Sequence, residues 1–394
     1  MAQKPRARQT TTTGKGTTSK NTKNAGAPTK RMSKKAKSKK NDVRTIVGGV
    51  DTHSRTHHAA VITTHGMRVA DKEFPATAAG YRAMLAWLGG FGRLFAVGVE
   101  GTNSYGAGLT RHLHTAGVTV LEVNRPDRRQ RRDKGKSDPL DAYAAADAVL
   151  AQRATATPKL GTGISESIRV LHTTRAGAVK ARTATINTLR NMLVTAPTGL
   201  REHLDGLSKA TLITACAELD TAGDPADPEI GVRLALASLA HRYQHLTSQI
   251  TALDKTIGAL VERAAPQLLK LPGVGRETAA QLIITVGDNP DRITTEAGFA
   301  ALCGVAPVPA SSGKTRRHRL SRGGDRQANR ALHLAACSRL RHDPRTQAYK
   351  QRRAEEQLTN KDILRCLKRY LAREIYKALM TSTNTTTNQQ PTAA

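Results

Sequence analysis

The sequence predicts an α/β sheet domain, then a helical coiled-coil middle, then a mostly α C-terminal domain opened by a glycine turn. Three observations predict it. β-Branched runs alternate with helical stretches over residues 42–158, the pattern of strands interleaved with helices. Apolar residues then recur at four and three from Val232 to Leu260, a heptad seam. Past Leu271-Pro272-Gly273-Val274-Gly275, helical segments run to Leu379. The expected divisions are a basic disordered tail over 1–41, domains over 42–158, 159–265 and 266–380, and a polar disordered tail over 381–394.

A chain of 394 residues holds two or three such domains. Its net charge of +31 exceeds any need of solubility and points to a polyanion, nucleic acid before a membrane. No apolar run approaches the length of a membrane span, and no signal-type apolar segment follows the basic N-terminus. Cys216, Cys303, Cys337 and Cys366 lie far apart, which excludes a Cys-x-x-Cys zinc site and suits ordinary thiols in a reducing cytoplasm. Aromatic residues are only 3%, so phosphate contacts through Arg and Lys, not base stacking, must carry most of the binding.

In order, residues 1–41 contain no acid and almost nothing apolar, which suits salt-dependent, nonspecific attraction to nucleic acid. Val43–Asp51 reads as a strand ending on an acid, and His58–Thr63 as its hairpin partner. His53, His57 and His58 lie close by and could serve as ligands, but three histidines in a turn are more often solvent-exposed, and they are left out of the candidate site. A helix over Thr77–Leu88 precedes a buried strand, Leu94–Glu100, that again ends on an acid. Ser104–Ala116 is helical and Val118–Val123 is another strand. Ligands of such sheets gather at strand ends, so Asp51 and Glu100 are candidate site residues.

Arg125–Lys136 holds seven basic residues against two acids, among them Arg128, Arg129, Arg131, Arg132 and Lys136. It suits a loop tracking a phosphate backbone, although a solvated face has the same composition. Directly after it, Asp138 and Asp141 stand three apart at the start of an alanine-rich helix, on one face. The same residues suit an N-cap at Asp138 with Pro139 at the first helical position and Asp141 as a capping-box-like partner. Clustered carboxylates repel unless a cation neutralises them, so four converging acids imply oxygen ligation of an ion such as Mg²⁺.

Helix to about Arg153 gives way to a polar linker, Ala154–Gly163, and to a long helix over 164–196. The seam of Val232, Leu236, Leu239, Tyr243, Leu246, Ile250, Leu253, Ile257 and Leu260 predicts an antiparallel pairing with that helix and self-association as well. Gly273 and Gly275 open a helix whose amides face outward as an anion site, and the string resembles a helix-hairpin-helix, which grips DNA phosphates. Ser311-Ser312-Gly313-Lys314 with Arg316, Arg317 and Arg319 suits a nucleophile beside a cationic clamp, or equally a phosphate-binding loop. Helices over Arg326–Leu340, Thr346–Leu358 and Asp362–Leu379 follow.

Asp51, Glu100 and Lys136-Ser137-Asp138-Pro139-Leu140-Asp141-Ala142 resemble the N-terminal Asp-Glu-Asp-Asp domain of IS110/IS1111-type transposases. The stretch from Leu271-Pro272-Gly273-Val274-Gly275 through Ser312-Gly313-Lys314 to Gly324 and Asn329 resembles their C-terminal domain, and the likeness spans roughly 43–380. The resemblance implies a RuvC-like, ribonuclease H-like fold whose acids Asp51, Glu100, Asp138 and Asp141 bind Mg²⁺ (or Mn²⁺). It also implies that Ser312 attacks DNA, completing the acidic site of another subunit. Its implied partners are double-stranded DNA, a structured noncoding bridge RNA and further copies of the chain, as a dimer and as a tetramer in the active complex. The implied setting is the bacterial cytoplasm, at the nucleoid. The long basic tail is a departure that the family does not require.

Two other readings use the same charge. A metal-dependent junction nuclease would cut with water and leave the Ser-Gly-Lys loop unexplained. A non-enzymatic architectural DNA-binding protein would leave the four acids, repelling one another near DNA, as coincidence.

Overall fold

In a computed structural model the described residues are 44–124, 137–313 and 318–387, with 381–387 described by backbone alone. The basic tail, Arg128, Arg129, Arg131, Arg132 and Lys136, and Lys314, Arg316 and Arg317 lie outside the described residues. The central strand is β1 (Thr45–Thr52), buried along nearly its whole length. Around it β2 (Thr56–Thr63), β3 (Arg68–Pro75), β4 (Arg93–Glu100) and β5 (Val120–Val123) form a sheet of order β3-β2-β1-β4-β5. β1, β2 and β3 pair antiparallel, while β1 with β4 and β4 with β5 run parallel. This mixed five-stranded sheet with helices on both faces is ribonuclease H-like.

The alternation of β1 sends Ile46 and Val50 to one face, where they meet Met84 and Leu88 of α1 (Ala78–Gly89) and Leu109 and Leu113 of α2 (Ala107–Thr115). Val47 and, from neighbouring strands, Ala60, Ile62 and Ala96 face the opposite way onto α3 (Asp138–Leu150). α3 is alanine-rich because it lies directly on the sheet. A Cβ at Gly49 would stand 2.2 Å from Ala142 O, and one at Gly98 2.7 Å from Ala145 O. β3 has no counterpart in the sequence reading. It is an edge strand on which only Phe74 is buried, so it shows no apolar run.

Two long helices follow, α4 (Ile164–Val194) and α7 (Pro228–Ala264), with α5 (Thr198–Leu204) and α6 (Lys209–Ala217) between them. They pack antiparallel, since Arg175 pairs with Asp254 while Arg182, two turns on, donates to Thr247. The predicted seam lies on α7: Leu236, Ile250 and Ile257 are buried and its other members half-buried. The polar linker over Ala154–Gly163 is hydrogen-bonded along its course. Asp288 accepts from the amides of Thr162, Gly163 and Ser165, and Asn289 donates to Pro158 O.

α8 (Pro266–Leu269) and the turn at Gly273 lead into α9 (Arg276–Val286) and α10 (Glu296–Leu302). A short hairpin of β6 (Val308–Pro309) and β7 (His318–Arg319) precedes α11 (Arg326–His342), α12 (Pro344–Glu355) and α13 (Asn360–Thr387). Their core of Phe299, Leu332, Ile363 and Leu371 also takes in Ile168 of α4 and Ile257 and Val261 of α7. α13 continues to Thr387, so the polar tail expected from 381 is helical over its first residues. No glycine or proline interrupts that Thr/Asn run before Pro391. Residues 388–394 lie outside the described residues. Among the described residues no helix is long and apolar enough to cross a membrane.

Candidate functional site

Parallel pairing of β1 and β4 sets Val50 opposite Val99, so Asp51 and Glu100 arrive together at neighbouring strand ends. Thr52 Oγ1 donates to Glu100 O at 2.8 Å and ties the two ends. On the α3 face, the first turn of that helix presents Asp138 and Asp141. The N-cap is Ser137, with Asp138 the first helical residue, so the sequence reading of Asp138 as N-cap is corrected. Relieved of capping, the Asp138 carboxylate turns to the site.

His53 closes the arrangement. Its Nε2 lies 3.2 Å from Asp51 Oδ2 and 3.4 Å from Asp138 Oδ1. Donor atoms of Asp51, His53 and Asp138 all fall within 4.8 Å of one another, a spacing suited to holding one metal ion. Asp51 is 6% exposed, whereas the Asp138 side chain is 47% exposed, so the site opens to solvent on the helix side.

Burial pushes the Asp51 carboxyl above the usual carboxylate range; His53 opposes the rise, and Asp141 and Asp138 add to it. A buried carboxylate crowded by two others favours whatever brings positive charge. The His53 Nε2 atom is buried without a hydrogen bond, despite its proximity to the two carboxylates. Two carboxylate oxygens and an imidazole nitrogen that makes no hydrogen bond form a donor set that a divalent cation fits. The helix N-terminus, with its partial positive charge, further favours carboxylates at Asp138 and Asp141.

Of the four predicted acids, Asp51 and Asp138 belong to this donor group; Asp141 is buried close enough to raise Asp51, and Glu100 ends the adjoining strand. Ser312 lies between β6 and β7 and is exposed, as is Arg319 on β7. Gly273 has φ +75°, and Gly275 is the N-cap of α9 without a side-chain cap. The sequence reading left out His53. The signal is present in Asp51-Thr52-His53, because residues two apart in extended chain share a face. For two of the three histidines the expected solvent exposure is also corrected, while the His53 side chain is 42% exposed. His57 is fully buried, stacked on Tyr81 at 5.6 Å, and burial pushes its pKa down; His58 pairs with Asp71 at 2.7 Å.

Residues 48–196 match the DEDD-type transposase domain of the IS110 group, and residues 265–351 match the transposase domain of the IS116/IS110/IS902 family. The uncharacterized 43.6 kDa protein of insertion element IS110 from Streptomyces coelicolor is 28% identical over 348 residues, 76% of this chain and 85% of that protein. The uncharacterized 42 kDa protein of insertion element IS900 from Mycobacterium paratuberculosis is 26% identical over 265 residues, 57% of this chain and 66% of that one. The transposase for insertion sequence element IS1328 from Yersinia enterocolitica is 26% identical over 236 residues, 59% and 66% of the two chains. A DEDD-type domain implies a divalent metal, and a transposase binds DNA. With both domains matched in order on one chain, this protein belongs to the IS110/IS116/IS902 family of transposases.

Proposed function

We propose that the chain is a DNA recombinase of an insertion sequence that cuts and rejoins strands by serine transesterification, guided by a structured noncoding bridge RNA. The observation that carries the reading is the convergence of Asp51, His53 and Asp138 at the β1 and α3 ends, within a chain that also carries the exposed Ser312 hairpin. Asp51, His53 and Asp138, with Glu100 and Asp141 beside them, would hold Mg²⁺ or Mn²⁺. Such an ion, when bound, neutralises charge on a phosphodiester and stabilises the oxygens exchanged there.

The remaining chemistry belongs to the chain. Ser312 Oγ attacks the phosphorus and gives up its proton. An Oγ–P bond forms as the bond from phosphorus to the sugar oxygen breaks, and that oxygen leaves as a hydroxyl by taking up a proton. One phosphate ester replaces another, so the reverse attack rejoins DNA without ATP. Basic residues after Gly313 and in 125–136, with the glycine turn at Gly273 and Gly275 as a helix-hairpin-helix, neutralise and grip phosphates. Ser312 serves the acidic site of a second subunit, and the half-buried seam of α7 contributes to that assembly.

The test is a suicide DNA substrate incubated with Mg²⁺ and the element's RNA, with wild type and Ser312→Ala in parallel. A protein–DNA adduct that survives denaturation and vanishes in the variant is expected. Cleavage without an adduct, unaffected by the substitution, would replace this reading with a hydrolytic nuclease.

A further inference from the structure

The hairpin carrying Ser312 leaves α10 and re-enters at α11, and its two feet meet backbone to backbone. The Asp325 amide donates to Leu302 O at 2.6 Å. Gly304 and Gly324 both have positive φ, +64° and +84°. A Cβ at Gly324 would stand 2.6 Å from Ala301 O, Leu302 O and Gly304 N, and one at Gly304 would stand 2.6 Å from Gly323 O. Glycine is therefore required at both feet on two grounds, conformation and space.

One side chain spans this junction. Asn329 of α11 donates through Nδ2 to Cys303 O at 3.1 Å and to Gly304 O at 2.9 Å, the carbonyls through which the chain enters the hairpin. Its Oδ1 accepts from Lys368 Nζ of α13 at 2.9 Å. Lys368 is only 9% exposed and lines a cavity of about 600 Å³ together with Gly304, Val305, His318, Arg319 and Ser321. Burial and then Arg365 push the lysine's pKa down, while Cys337 opposes them. An ammonium is costly to bury and calls for a specific role. Here it sets which way the asparagine amide points. The flipped amide would put –NH₂ against the ammonium and its oxygen against two carbonyls, repulsive on both sides.

We propose that Lys368, acting through Asn329, is a positioning residue that fixes the foot of the Ser312 hairpin. The consequence for chemistry rests on the nucleophile reading of Ser312; the anchoring itself does not. Two measurements on the full-length protein separate them. In hydrogen–deuterium exchange, residues 305–313 and 318–323 should exchange faster in Lys368→Met and in Asn329→Ala than in wild type, with Lys368→Arg close to wild type. Exchange there unchanged in both variants, each shown by thermal melting to be folded, overturns the proposal.

At saturating DNA and RNA, Lys368→Met should slow Ser312 adduct formation by about 10²-fold, the scale of an ångström of misplacement, with DNA affinity unchanged. In an Asn329→Ala background the same lysine substitution should cost little more, since the two act in series. Full additivity would overturn the relay and assign the lysine an independent contact. Faster hairpin exchange in the variants, with wild type cutting DNA but forming no adduct, retires the nucleophile and supports the anchor.

Discussion

Replacing Gly49 by alanine should disable the acidic site without touching any of its side chains. Gly49 lies on β1 two residues before Asp51, on the face covered by α3. A methyl there would stand 2.2 Å from Ala142 O and 2.3 Å from Ala146 N, where ordinary contact begins near 3.4 Å. Both obstacles are helix backbone, which has no rotamer by which to yield. The helix must lift by about 1 Å, carrying Asp138 and Asp141 away from Asp51, and overpacking of this kind costs about 1–3 kcal/mol. A displacement of about 1 Å costs about 10²-fold in a positioned reaction. The assay pairs DNA cleavage with thermal melting in chelator and in excess Mn²⁺. Gly49→Ala should melt lower, lose most of the metal-induced rise and cleave about 10²-fold more slowly. Gly89, whose added Cβ meets nothing within 4 Å, is the control: Gly89→Ala should cleave normally. Wild-type cleavage with a wild-type metal response in Gly49→Ala would refute the claim that α3 seating sets the carboxylates.

Metal at a hundred times its dissociation constant should add about 2.7 kcal/mol to the wild type, and His53→Gln should shift that titration to higher metal concentration; an unchanged titration would remove His53 from the donor set. Asp51→Asn has a sign that depends on conditions. Its carboxyl is raised by burial, so this one group favours the fold most at acid pH, and that contribution is lost as pH rises through the folded value. In chelator at pH 7 the Asn variant should therefore melt above wild type, the gap should shrink on acidification, and saturating metal should reverse the order. A variant that melts below wild type in chelator at pH 7 would count against a strained carboxylate. Residues 1–41 contain thirteen basic residues, and deleting them should flatten the salt dependence of DNA binding with cleavage chemistry unchanged. The log–log slope should fall by about 0.9 for each phosphate that the tail neutralises in the wild type, and an unaltered slope would show that it neutralises none.

The legible part of this protein is the part written locally. Buried strands β1 and β4 announce themselves as β-branched runs, and the acids that end them are adjacent because parallel strands bring like ends together. Edge strand β3 is illegible for the converse reason, since it owes its pairing to β2 and buries a single side chain. His53 belongs to a trio whose environments only the tertiary fold distinguishes: one beside two carboxylates, one sealed against Tyr81, one paired to Asp71. The Lys368–Asn329 contact joins residues 39 apart on different helices, and no periodicity encodes it.

Asp138 shows how the two kinds of information combine. The sequence offers it a capping role and a ligand role, as if one excluded the other. In the fold, Ser137 takes the cap position, and the helix end favours negative charge at Asp138 and Asp141. That bias offsets part of the repulsion from Asp51 which the cluster would otherwise carry alone. The alanines of α3 and the glycines of β1 and β4 let the helix descend far enough for the offset to act at the strand ends. Small residues with no chemistry of their own thus help bring two carboxylates and an imidazole within reach of one cation.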